Sequence, residues 1–196
     1  MTIHAHPDDE SSKGAGSVAL YSDAGVTATL VCCTGGEEGD ILNPAMDRPE
    51  IKQNIAKVRQ EELAKAANII GYKRVHYLGY RDSGMPDTEA NKNPDCFANA
   101  PLDEAVGRLV KIIREEKPHV IVTYPDDQQG YQHPDHLKVF DISLPAWKAA
   151  GDPLKFPEFG DPWTPLKLYY TTWSRARIEA LHDMFIKLKI ESPFND

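Results

Sequence analysis

The chain is predicted to fold as a doubly wound α/β domain, with a mostly parallel sheet flanked by helices. Three observations carry that prediction. Short apolar, β-branched runs alternate with amphipathic helical segments in the order β-α-β-α-β-α-β-α-β-α. Glycine and proline fall mainly between these segments rather than inside them. The chain has 196 residues, 41% of them hydrophobic and 27% charged, which suffices for one self-sufficient core over residues 1–196.

The elements follow in order. Residues 2–5 form a very short first strand. Residues 12–23 read as a helix with Ala15, Val18, Ala19 and Tyr21 inward, stopped at Ala24-Gly25. Residues 26–33 (VTATLVCC) are a buried strand. Residues 34–49 are loop. Residues 50–70 give the strongest helical pattern, with Ile51, Ile55, Val58, Leu63, Ala66, Ala67 and Ile70 on one stripe and Gly71 as its stop. A short strand at 74–78 precedes a long irregular segment, 79–101. An amphipathic helix at 102–116 ends at Lys117-Pro118, and a strand at 119–124 follows. Residues 134–150 are helical, 166–172 are a fifth strand, and 174–188 are a last helix.

Composition excludes several functions. Lys and Arg number 22 against 30 Asp and Glu, a net charge of −8, which disfavours general binding to nucleic acid or anionic membrane. No apolar run approaches the ~18–20 residues that span a bilayer, and no secretory signal pattern opens the chain. Three cysteines, two of them adjacent (Cys32, Cys33), are no disulfide framework, so a cytoplasmic setting is expected. Cys32 and Cys33 are expected in the core, and His4, His76, His119 and His182 at structural or surface positions.

Right-handed crossovers place every strand's C-terminal end on one edge, where ligands bind in such folds. Four polar clusters follow the strands: His6-Pro7-Asp8-Asp9-Glu10, Thr34-Gly35-Gly36-Glu37-Glu38-Gly39-Asp40, Gly79-Tyr80-Arg81-Asp82-Ser83-Gly84-Met85, and Tyr131-Gln132-His133-Pro134-Asp135-His136. Two imidazoles and one carboxylate, His6, His136 and Asp9, suit Zn(II) or Fe(II) with positions left open for water. Asp8 neighbours Asp9 and is placed to take a proton from an attacking water. His133 is a candidate stabiliser of a developing oxyanion, with Asp135 orienting its ring, and Tyr131 is a further donor. Bland readings stand beside these: Asp8, Asp9 or Asp135 as helix caps, Tyr131 as packing, Arg59 as part of a solvated helix face, Glu37, Glu38 and Asp40 as a solvated acidic loop. Arg81, Asp82 and Arg59 are candidate contacts to a polar substrate. Lys13, at the start of a helix where a cation opposes the dipole, hints at a polar ligand nearby. No G-x-G-x-x-G, G-x-x-x-x-G-K-[ST] or G-x-S-x-G pattern occurs.

Together HPDDE, GGEEG, YRDSGM and HPDH resemble the zinc-dependent N-deacetylases of the PIG-L/LmbE-like superfamily. The resemblance implies an LmbE-like, Rossmann-like sheet. Within the superfamily, HAHPDDESSKGA, ILNPAMD, GYQHPDH and DPWTPLKLYY are similar to the amidase branch that acts on mycothiol S-conjugates. It implies Zn2+ held by His6, Asp9 and His136 (with Fe2+ as the alternative in vivo), Asp8 as general base, and His133 at the tetrahedral intermediate and the leaving amine. It further implies Asp135 tuning His133, Tyr131 at the oxyanion, Arg59 and Asp82 on the glucosamine hydroxyls, Met85 lining the substrate site, and Lys13 on the cysteinyl side. The implied reaction cleaves a mycothiol S-conjugate to a mercapturic acid and glucosaminyl-inositol, a detoxification step. The alternatives are deacetylation of N-acetylglucosaminyl-inositol or another N-acetylglucosaminide, an Fe(II) oxygenase using the same ligand set, and a non-catalytic sugar-binding remnant. The partner expected is a small molecule, with neither nucleic acid nor membrane. Against the family pattern, the first strand is short and a C-terminal segment that helps close the pocket is expected to be missing.

Overall fold

A computed structural model of the chain describes residues 1–128 and 132–194. Its centre is a five-stranded, all-parallel sheet in the order β3-β2-β1-β4-β5. The strands are β1 (Thr2–His4), β2 (Ala28–Thr34), β3 (Tyr72–Tyr80), β4 (Val120–Thr123) and β5 (Lys167–Tyr170). The chain steps outward from β1 through β2 to β3, then returns to lay β4 on the other side of β1. The order therefore reverses between β1 and β4, which is where such sheets open a ligand crevice.

Successive side chains of β2 alternate between two cores, as a period of two requires. Leu30 and Cys32 pack with Leu63, Ala67 and Tyr72 beneath α4 (Ile55–Ile70). Val31 and Cys33 face the larger core with Ile3, Ile121, Leu109, Ile113 and Ile142. That core is closed by α5 (Leu102–Glu116) and α6 (Pro134–Ala150), which run as the sequence predicts. The last helix, α7 (Arg175–Lys187), contains no buried residue.

Three predicted elements differ. The 12–23 helix is two pieces, α1 (Asp9–Ser12) and α2 (Ala15–Asp23), separated by Gly14 at φ 109. That left-handed conformation favours glycine and breaks the helical path. Tyr21, expected inward, is 62% exposed. The 50–70 helix is likewise interrupted: α3 (Pro49–Gln53) stops at Asn54, whose φ of −122° leaves the helical well. Its side chain donates to Glu50 O at 2.9 Å, a local bond that competes with the helix ladder. Finally, β3 is longer than its apolar run, because β2 pairs with it from Ala28↔Tyr72 to Thr34↔Tyr80. As an edge strand it tolerates the polar residues Lys73 and Arg74.

Arg114 organises the far side of α5. It is 3% exposed, and its guanidinium donates to six carbonyls: those of Ala149, Ala150, Asp152, Lys155, Phe156 and Gly160. Some of these are the unpaired carbonyls at the end of α6, where a cation is favoured. Arg114→Met keeps the stem and removes the fork, leaving buried acceptors unpaired. The variant is expected to lose about 3–4 kcal/mol of unfolding free energy, read by urea denaturation. A loss below about 0.5 kcal/mol would show that water replaces the guanidinium without penalty.

Candidate active site

The crevice at the β1/β4 reversal collects residues from three strand ends. The chain leaves β1 at His4, turns through His6 and Pro7, and enters α1 at Asp9. Asp8 makes this turn at φ 115, ψ −29, a left-handed conformation that costs energy outside glycine and that short polar Asp tolerates better than most. The turn holds Asp9 beneath His6, whose backbone N–H donates to Asp9 Oδ2 at 2.9 Å. From the other side of the reversal, the first turn of α6 delivers Asp135 and His136. His6, Asp9 and His136 are 8%, 3% and 3% exposed.

Asp9 Oδ2 lies 3.5 Å from His6 Nδ1 and 3.5 Å from His136 Nε2. These separations are too long for good hydrogen bonds. They match the edge of a tetrahedron around a cation bonded at ~2.0–2.1 Å, which is about 3.4 Å. The donor set, two imidazoles and a carboxylate within 4.8 Å of one another, fits a borderline cation such as Zn(II) or Fe(II).

Asp135, His133, Lys13 and Asp82 surround this cluster, several with partners other than those expected. Asp135 is fully buried, and its carboxylate accepts from Ser83 N at 3.0 Å and from Ser83 Oγ, and meets His6 Nε2 at 3.1 Å. The expected link to His133 takes another form: His133 Nδ1 caps α6 by accepting from Asp135 N at 3.2 Å. His133 sits edge-on to His6 with centroids 4.5 Å apart. Lys13, expected on substrate, reaches back one helical turn and places Nζ 2.6 Å from Asp9 Oδ1. Asp82 is 3% exposed, accepts from Gly84 N at 2.9 Å, and points at His6 Nε2 from 3.6 Å rather than into open solvent. Met85 is 45% exposed. Tyr131 lies outside the described residues.

Arg59 does not lie on a solvated helix face. It donates to Pro7 O at 2.5 Å, Gly36 O at 2.7 Å and Asp8 Oδ2 at 2.7 Å, and so ties α4 to the two loops beside the cluster. A Cβ at Gly36 would come within 2.5 Å of this guanidinium, so the glycine permits the close approach. Glu37 and Glu38 are not merely a solvated loop either. Glu37 accepts from Asp82 N at 2.9 Å, and Glu38 pairs with Arg81. A groove of about 390 Å³ runs from Asp8 and Arg59 along Ile41, Met46, Ile55 and Val58.

The electrostatics divide the imidazoles. Burial acts to lower the His6 pKa, but the carboxylates of Asp135, Asp82 and Asp9 outweigh it and hold it well above the ordinary value. Burial and then the neighbouring His6 charge push His133 down to about 4. Asp9, despite burial, is held well below the carboxylate range by His136, His6 and Lys13. Asp8 is raised, by desolvation first and then by the Asp9 charge.

Sequence reasoning gave no role to Ser83 or Tyr124. Ser83 sits inside the quoted YRDSGM cluster, and its signal was only that position. Tyr124 directly follows β4 and packs its ring 4.8 Å from His136, with Lys13 Nζ 5.6 Å above it.

The family model described as GlcNAc-PI de-N-acetylase (PIG-L) matches residues 1–147. The chain is 44% identical over 202 aligned positions to mycothiol S-conjugate amidase of Streptomyces coelicolor, covering 100% of this chain and 68% of that protein. It is 43% identical over 180 positions to 1D-myo-inositol 2-acetamido-2-deoxy-alpha-D-glucopyranoside deacetylase 1 of Catenulispora acidiphila, covering 87% of this chain and 54% of that one. The chain thus spans between about half and two thirds of these relatives' lengths. Among solved structures, N,N'-diacetylchitobiose deacetylase from Pyrococcus horikoshii superposes with a TM-score of 0.71 at 20% identity, over 96% of this chain and 73% of that one; this likeness concerns the fold.

Proposed function

Because the chain belongs to the PIG-L (GlcNAc-PI de-N-acetylase) family, we propose that it is a metal-dependent amidase that cleaves a mycothiol S-conjugate into a mercapturic acid and glucosaminyl-inositol. The observation that carries the reading is the trio His6, Asp9 and His136, with Asp9 Oδ2 3.5 Å from a nitrogen of each imidazole and all three ligand atoms within 4.8 Å of one another. Zn2+ is the cofactor we assign, with Fe2+ as its competitor by donor chemistry. No helix among the described residues is long and apolar enough to cross a membrane, in keeping with a cytoplasmic site of action on a small-molecule substrate.

The bound cation would polarise the amide carbonyl and acidify a water. Asp8 is the base. Its side chain is 72% exposed, so water and substrate reach it, and Arg59 steers its carboxylate. His133 hydrogen-bonds the oxyanion, and the proton that Asp8 takes from the water goes on to the leaving amine. Asp135 fixes the rings around it: its amide N–H orients His133, and its carboxylate holds His6. Lys13 neutralises Asp9 and presents its stem to the acyl side, while Arg59 and Met85 flank the sugar. Tyr131 stands as a further donor at the oxyanion. Residues 1–196 would then act as one catalytic domain.

A second reading, deacetylation of N-acetylglucosaminyl-inositol, is favoured by the nearly equal identity to a protein of that name. An amine-release assay on zinc-loaded protein separates the two. We expect kcat/KM for a mycothiol conjugate at least about tenfold above that for N-acetylglucosaminyl-inositol, a difference of about 1.4 kcal/mol. The reverse order supports the deacetylase; release from neither substrate sinks both.

A further inference from the structure

We propose that Asp82, His133 and the Nε2 of His6 form a second divalent-cation site, sharing the His6 imidazole with the first. The two rings and the carboxylate offer ligand atoms within 4.8 Å of one another, and all three residues are buried. Asp82 Oδ1 stands 3.6 Å from His6 Nε2, nearly the spacing found in the first trio and close to a tetrahedral edge of about 3.4 Å.

The ligands are held in place. Asp82 accepts from the amides of Gly84, at 2.9 Å, and Glu38, at 3.4 Å, so its carboxylate is fixed by backbone on both oxygens. His133 Nδ1 accepts from the Asp135 amide, which fixes the ring. His6 turns Nδ1 toward Asp9 and Nε2 toward Asp82 and Asp135. One imidazole thus separates two sets of one imidazole and one carboxylate each. Two nitrogens and one oxygen select a transition ion of the zinc type over Mg2+ or Ca2+.

The shared ring sets a hierarchy of affinity. A second cation must compete with Asp135 for His6 Nε2, 3.1 Å away. It also lies across a single ring from another doubly charged ion. We expect it to bind at least about 100-fold more weakly than the first. Its consequence rests on the reading above: by taking His133, it removes the group that hydrogen-bonds the oxyanion, and excess zinc inhibits.

The test is a metal titration of the metal-free full chain, by Co(II) absorption and by equilibrium dialysis against zinc. The wild type is expected to take a tight equivalent and a weak one. Asp82→Asn and His133→Gln are expected to stop at one equivalent, and circular dichroism verifies that each is folded. If Asp82→Asn fails to fold, His133→Gln alone decides. The site is overturned if the wild type saturates at one equivalent in 100-fold excess zinc, or if the folded variants still take the second. Failure of the amidase reading looks different: two equivalents bind as described, yet no amide is cleaved at any zinc concentration.

Discussion

Replacing His136 by alanine is expected to abolish stoichiometric zinc binding and to lower kcat/KM by more than about 1000-fold, or about 4 kcal/mol of transition-state stabilisation. The argument is one of ligand count. Three protein ligands leave room for water in a catalytic site, and two hold such an ion poorly. His136 is 3% exposed and cannot be replaced by a side chain from the surface. Dialysis followed by elemental analysis reads the metal, and amine release reads the activity. Asp135→Asn is the comparison: it disturbs the partner of His6 rather than a ligand, so the metal should weaken only about 10–100-fold. A His136→Ala protein that keeps one tightly bound zinc would remove this trio from the mechanism.

Asp8→Asn is expected to do the opposite: one zinc retained, kcat lowered by about 100- to 10,000-fold, KM little changed. Asn is close to isosteric and is among the residues that accept the left-handed backbone at this position, φ 115, so the turn should survive. What disappears is the ability to accept a proton. Asp8 lies beside Asp9 but outside the 3.5 Å contacts that frame the cation position, which is why metal and turnover should separate. Unchanged kcat would assign the base to another group.

Much of this was readable without coordinates. The alternation of strands and helices, the hydrophobic stripe of residues 55–70 and the amphipathic pattern of 102–116 reflect periodicities that burial imposes on any sequence of this fold. Once strands are parallel and crossovers right-handed, the clusters after them must share one edge. HPDDE and HPDH therefore met because of topology, which local pattern encodes. The breaks at Gly14 and Asn54 were less legible, because a single residue leaving the helical well hardly disturbs an apolar stripe.

What the sequence determined by itself was the sheet, the edge and the set of residues on it. Only the tertiary structure decided who touches whom: Lys13 on Asp9, Asp135 on Ser83 and His6, Arg59 on Asp8, Glu37 on Asp82. Burial is fixed by a pattern that repeats every two or 3.6 residues and survives small errors. A polar contact is fixed by tenths of an ångström and by one rotamer at each end, across as many as 129 positions of chain between His6 and Asp135. Such pairings are settled by how the packed elements sit against each other, where each buried charge takes the partner that best repays its lost water.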